Sequence, residues 1–366
     1  MKRAYLGLLA AVLATGLAGS VWAERQTTAD GAAPEEVNAL MPAHEFSTAP
    51  DGYPAMSASE CGGQCDTGLG PWFGGVEYRY LRTSFSEAVA FAVVTDSFPG
   101  VFDRRVVAEE LGFDYNSSAK FYVGMRIGEC QDLRFSYWNL YTDVNVNGTA
   151  DAGQTLVDPF GNLGEADASI STNASVNMNV FDLEYLQTMN FPNQDVDFVY
   201  SAGLRFVNVS QDYDSTIRDA GDDVTSVGVF TADYGGVGPY FSLAGSTSRN
   251  RPFSLLAKGG AALLIGSYEV ESGVTIPGVA VGGQTAQRIR AVPVLEAELG
   301  ASWHPTDRFT VSAGYLFQAW FNLGVSGGTF DGENLPLAPI DTVFGQTDDA
   351  DIMSFDGLFV RAELWF

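Results

Sequence analysis

Leu358-Phe359-Val360-Arg361-Ala362-Glu363-Leu364-Trp365-Phe366, the last nine residues of the chain, alternate apolar and polar up to an aromatic end. Leu358, Val360, Ala362, Leu364 and Phe366 share one face, while Arg361 and Glu363 fall on the other, with Phe359 and Trp365 near its two ends. That is the pattern of a strand running between lipid and a polar lumen. A strand in a soluble sheet alternates too, but a free terminus in water usually frays and seldom stops on an aromatic side chain. The ending therefore predicts an all-β, antiparallel transmembrane β-barrel, with Phe366 as a C-terminal assembly signal.

The N-terminal residues agree. Lys2 and Arg3 precede an apolar stretch from Ala4 to Ala18, and Val21-Trp22-Ala23 offers the small residues a signal peptidase reads, so residues 1–23 read as a signal peptide of the general secretory route. No later segment reaches the 18 or more consecutive apolar residues of a membrane helix, so an outer-membrane location demands a barrel. Charged residues make up 17% of the chain and aromatics 13%, with 41 glycines, a balance suited to aromatic girdles and crowded walls. Nineteen basic residues stand against 45 acidic ones, a formal charge of −26 that argues against nucleic acid as a partner. The expected partners are outer-membrane lipid, the barrel-assembly machinery, and small solutes or cations; a homo-oligomer is compatible with the sequence.

Residues 24–70 are rich in Ala, Pro, Ser, Thr and acidic side chains without a stable period and read as a periplasmic linker. Cys61 and Cys65 lie at its end and Cys130 stands apart. In an oxidising compartment Cys61 and Cys65 can close a short loop, or Cys130 can pair with either of them or stay free. A metal site built on two thiols without a nearby His is the weaker alternative.

From residue 71 onward, blocks of alternating character are each long enough to cross a bilayer as tilted strands. Ten are predicted: 72–82, 119–127, 132–142, 179–188, 196–208, 235–247, 253–267, 288–303, 308–321 and 358–366. Eight or twelve remain open, since 235–247 is irregular and 87–96 could pair. Pro239 would remove a ladder bond and predicts a bulge. Connections alternate between short and long, as in bacterial barrels with short periplasmic turns, long external loops and both termini in the periplasm.

The polar faces of these strands carry Glu77, Arg79, Lys120, Arg126, Arg134, Asp182, Glu184, Arg205, Lys258, Glu296, Glu298, Arg361 and Glu363. These are the candidate lumen-lining residues, either as charge pairs filling a narrow barrel or as a selective constriction. The external loops are acidic, with Asp331, Glu333, Asp341, Asp348, Asp349 and Asp351 in one and Asp212, Asp214, Asp219, Asp222 and Asp223 in another. Neither has the ordered spacing of a calcium loop, so no metal residue and no cofactor is assigned. Of two histidines, His44 falls in the linker and His304 in a short periplasmic turn, away from the external rim where catalysis would sit, so no enzyme is expected.

Asp132-Leu133-Arg134-Phe135-Ser136-Tyr137-Trp138, Val180-Phe181-Asp182-Leu183-Glu184-Tyr185, Ser201-Ala202-Gly203-Leu204-Arg205-Phe206 and Gly236-Val237-Gly238-Pro239-Tyr240 resemble strands of the pore-forming outer-membrane proteins similar to the Legionella major outer membrane protein. The resemblance implies a porin-like role in passive diffusion of small solutes or ions and supplies no catalytic motif. The expected function is therefore a diffusion pore, with a closed barrel presenting acidic loops for adhesion, cation bridging or envelope integrity as the alternative.

Overall fold

The computed structural model of the protein describes residues 71–86, 89–96, 104–190, 196–247, 252–277, 279–323 and 352–366. The signal, the linker, Cys61, Cys65, His44 and the acidic stretch 331–351 lie outside them. Ten strands close into an antiparallel barrel: β1 (Trp72–Phe85), β4 (Tyr115–Gly128), β5 (Gln131–Thr149), β8 (Ser169–Asn190), β9 (Val196–Arg218), β10 (Val224–Thr247), β11 (Phe253–Ile276), β12 (Val279–Thr306), β13 (Phe309–Phe321) and β14 (Ile352–Trp365). Closure runs through β1 and β14, in register from Phe73 opposite Trp365 to Phe85 opposite Met353. The seam is locked by reciprocal backbone bonds between Trp72 and Phe366 at 2.9 and 3.2 Å, and by stacking of Phe73 on Trp365 with ring centroids 4.6 Å apart.

Near the periplasmic end each strand presents apolar side chains outward: Val76, Tyr78 and Tyr80 on β1, Leu204 and Phe206 on β9, Leu263 and Ile265 on β11, Leu358, Val360 and Leu364 on β14. In water such a belt would be a large exposed apolar patch; around a barrel it is the lipid-contact surface. Close approach of neighbours in this half requires glycine. A Cβ on Gly124 would sit 2.1 Å from the Phe73 ring, and one on Gly75 would sit 2.4 Å from the Tyr122 ring.

Several strands continue well past the belt, and there the alternation inverts. On β9, Val209, Tyr213 and Ile217 turn inward and are buried, whereas Asn208, Asp212, Asp214 and Thr216 turn outward. Two connections expected as long loops, 209–234 and 268–287, are thus mostly extended ribbon among the described residues, with a turn at 219–223 and another beginning at 277. Asp212 and Asp214 are strand residues, while Asp219 caps the tight turn by accepting from the N–H groups of Gly221 and Asp223 at 2.8 and 3.0 Å.

Segment 89–96 pairs, but outside the barrel. It forms β2 (Val89–Asp96) in a second sheet with β3 (Arg104–Glu110), β6 (Gln154–Val157) and β7 (Leu163–Gly164), in the order β3-β2-β6-β7. This sheet sits in the external mouth, where Ala90, Phe91 and Leu156 pack on Ala150, Ala168, Ile170 and Ile217. The bulge expected at Pro239 is absent: Pro239 pairs with Leu204 on β9, and the β10–β11 register is unbroken from Val237 opposite Ile265 to Tyr240 opposite Ala262. The ring costs one donor toward β11 and the ladder passes over the gap.

Candidate functional site

All the candidate lumen residues lie on the inward face of the barrel, within its periplasmic half. They form a layer of ion pairs spanning the interior. Arg205 donates from Nε to Asp182 Oδ1 at 2.7 Å, and from Nη1 to Glu296 Oε1 at 2.5 Å. Gln318 and the Tyr240 hydroxyl add donors to Glu296 at 3.1 Å each. Lys120 stands 3.7 Å from Asp182.

A second group of pairs completes the layer. Arg79 meets Glu77 at 2.5 Å, and Arg361 joins Glu77 to Glu298, the latter at 2.8 Å, with Lys258 3.5 Å from Glu298. Arg134 grips Glu184 through Nη2 at 3.0 Å, and the Ser201 hydroxyl donates to Glu184 at 2.9 Å. Toward the periplasmic opening, Arg126 faces Asp132 at 3.4 Å, and Glu363 accepts from the Tyr122 hydroxyl at 2.9 Å and the Trp365 indole at 3.0 Å. Side chains at the centre of the layer are almost wholly out of solvent, 1–2% exposed for the Glu77 and Arg79 pair and 2–3% for Asp182 and Arg205. Charges taken out of water stay ionised only when paired and hydrogen-bonded, as every one of these is.

Above this ionic layer the same inward faces turn apolar. Leu81 on β1, Trp138 and Leu140 on β5, Met178 on β8, Val209 on β9, Tyr234 on β10, Leu264 on β11, Trp320 on β13 and Phe355 on β14 are buried together. Aromatic rings join the two layers: the Arg79 guanidinium lies 4.8 Å from the Trp138 ring centre, and that of Arg205 lies 4.2 Å from the Tyr240 ring centre. The sequence reading missed this apolar layer, although its signal was present, since Trp320 and Phe355 fall on the face opposite the lipid.

The external loops fold down onto the apolar layer. Tyr213 donates its hydroxyl to Ala90 O at 2.6 Å, drawing β2 to the wall. Phe160, in the turn between β6 and β7, lies against Tyr213 with ring centroids 5.5 Å apart and over Gly228, where a Cβ would sit 2.2 Å from its ring. Asp158 holds that turn: Oδ1 accepts from the N–H groups of Phe160 and Asn162 at 3.0 and 2.7 Å, and Oδ2 from the Asn162 amide at 2.7 Å. Burial pushes its carboxyl up to about 6, against the pull of those donors.

Two further sequence readings fall at the periplasmic end. Cys130, at the β4–β5 turn with φ 59°, is disulfide-bonded and so not free. His304 closes β12, with Nε2 3.0 Å from Ser254 Oγ and Nδ1 3.1 Å from Thr310 Oγ1. Phe366 turns its ring outward beside Leu364, on the lipid face.

Similar solved structures are outer-membrane barrels. The outer membrane protease OmpT from Escherichia coli is 14% identical, with a TM-score of 0.43, covering 81% of this chain and 97% of its own. The attachment invasion locus protein Ail of Yersinia pestis, in complex with the heparin analogue sucrose octasulfate, is 10% identical, with a TM-score of 0.24, over 80% and 99%. A Pseudomonas aeruginosa FadL homologue is 9% identical, with a TM-score of 0.25, over 81% and 90%. No curated protein matches the chain. The family model of the Legionella pneumophila major outer membrane protein precursor matches residues 70–365, all ten barrel strands included, and this chain belongs to that family of outer-membrane proteins.

Proposed function

We propose that this protein is a closed outer-membrane barrel that carries a raised external rim, and that the rim, rather than a diffusion path, is its working part. The observation that supports this over the diffusion pore expected from the sequence is the double filling of the lumen. A water-filled channel leaves its lining charges solvated, whereas Glu77, Arg79, Asp182 and Arg205 are buried and bonded to one another. The layer above them holds Trp138 edge-on to Phe355, with Trp320 buried in the same apolar cluster, away from water. Ten strands suit such filling, since barrels of about eight strands are packed with side chains and wide aqueous channels belong to barrels of about sixteen or more. The acidic external surface then serves adhesion, cation bridging or envelope integrity.

The test is single-channel recording of refolded protein in planar bilayers, with insertion checked by heat-modifiable gel mobility. A correctly inserted, silent barrel supports the closed reading. Reproducible conductance steps of uniform size from the intact chain would return the diffusion pore to first place.

A further inference from the structure

Beyond the lipid belt, the outer wall formed by β5, β8 and β9 changes to amides and hydroxyls. Asn147 donates to Asn145, Asn145 to Asn173, and Asn173 to Asp214 Oδ2 at 2.8 Å, a relay that crosses three strands on the exposed face. Near the external end of this wall lies a cleft of about 350 Å³, lined by Asn147, Thr149, Ser169, Ser171, Thr216 and Arg218. Its size lies within the range of small-ligand sites.

The lining selects one chemistry. The Asn147 carboxamide offers donors and an acceptor side by side and each of the four hydroxyls offers both, which matches a ligand whose own groups both donate and accept. The cleft's one cation, Arg218, is engaged by its own hairpin, bonding to Asp222 O at 3.2 Å and standing 3.9 Å from the Asp222 carboxylate. The nearby Asp214 and Asp222 disfavour a phosphate. The lining has no aromatic side chain, and its one long aliphatic residue, Ile170, is buried on the inner face.

We propose that this cleft is a binding site for a neutral saccharide. Its position points to a source. Asn147 is ten residues along β5 from Tyr137, which pairs with the lipid-facing Phe181 at the edge of the belt, so the cleft stands above the acyl region, where outer-leaflet glycolipids present their sugars. The inference rests on the outer-membrane family and not on whether the lumen conducts.

The test uses the refolded full-length protein in a zwitterionic detergent, since maltoside detergents would compete. Dephosphorylated, carboxyl-reduced core oligosaccharide from the lipopolysaccharide of the expression host, a neutral probe, is titrated by saturation-transfer NMR. A second arm uses whole lipopolysaccharide in nanodiscs. The triple variant Asn147→Val, Ser171→Val, Thr216→Val keeps β-branched residues on an exposed strand face and is checked for folding by heat-modifiable mobility. Binding of the oligosaccharide that falls at least tenfold in the folded variant supports the site; retention of whole lipopolysaccharide with the same dependence identifies the glycolipid as its source, and binding in the first arm alone identifies a free saccharide. Equal signals from wild type and variant, or binding of whole lipopolysaccharide without the dephosphorylated oligosaccharide, overturn it.

Discussion

Arg205 on β9 reaches Glu296 on β12 across two intervening strands, Nη1 to Oε1 at 2.5 Å, while its Nε holds Asp182 on β8. One guanidinium thus ties together strands that share no ladder, and the barrel wall is braced from inside. Arg205→Ala would leave Asp182 with Lys120 as its one cation and Glu296 with only the neutral donors Tyr240 and Gln318, a broken buried pair that costs about 3–5 kcal/mol. Glu296→Gln should cost less, because Asp182 still pairs with the arginine. The measurement is the urea midpoint of the heat-modifiable gel shift. A midpoint for Arg205→Ala equal to wild type would show that water already reaches the pair.

Asp158 sets a pH dependence whose sign follows from burial. Its carboxyl is raised from 3.8 to about 6, so the docked turn takes up a proton more readily than the unfolded chain does. Stability from this group is therefore fully present below about 4 and is lost as pH rises through about 6, a difference on the order of 3 kcal/mol at 1.36 kcal/mol per pH unit. Hydrogen exchange at the amides of 158–162 should slow on going from pH 7 to pH 5 once corrected for the intrinsic rate. Asp158→Asn should flatten that dependence while keeping the oxygen that accepts from Phe160 and Asn162. A wild-type profile already flat after correction would mean that the carboxyl is solvated.

The Phe160 ring occupies space that Gly228 leaves open. Gly228→Leu should expel it without touching the lipid face, because residue 228 points inward. With Pro159→Cys as reporter, buried in the same turn and leaving the Phe160 ring in place, a membrane-impermeant maleimide should label slowly while Gly228 is kept, and at least tenfold faster in the double variant that also carries Gly228→Leu. Equal rates would place the turn in solvent.

Chain parity constrains the thiols. The chain has three cysteines and Cys130 is disulfide-bonded, so one thiol should remain per chain. Denatured, unreduced protein should therefore bind one equivalent of maleimide, and three after reduction. Three equivalents before reduction would exclude the bond.

How much of this was legible in the sequence depends on which solvent each residue faces. Lipid demands an apolar side chain at every second position, and β1, β9 and β14 announced themselves that way through Val76, Leu204 and Val360. Beyond the belt that demand ends: Asp212 and Asp214 occupy outward positions of a continuing strand, and the apolar signal moves to Val209, Tyr213 and Ile217 on the other face. The pattern reads as a loop when only the lipid face is tracked. The inward charges were legible as a set, but which carboxylate Arg205 would meet depends on barrel shear, which no single strand encodes. The second sheet was hidden for another reason, since β6 and β7 are four and two residues long and draw their order from the wall they pack on.

The inversion of pattern along β9 also locates the membrane edge. Leu204 and Ser210 point the same way on one strand, six residues apart, with Leu204 on the apolar belt and Ser210 between Asn177 and Asp233 on the polar wall. An arginine on the lipid face costs about 2–4 kcal/mol near the bilayer midplane and about 0–1 kcal/mol near the interface. Leu204→Arg should therefore lower folded stability in lipid vesicles by an amount toward the upper range, whereas Ser210→Arg should be near neutral and gains the carboxylate of Asp233 as a neighbour. Folding titrations in urea with vesicles of fixed thickness give both values. Two equal penalties would mean that lipid reaches as high as Ser210 and that the outer wall of β5, β8 and β9 begins further out; two negligible ones would mean that the belt is covered by another copy of the chain.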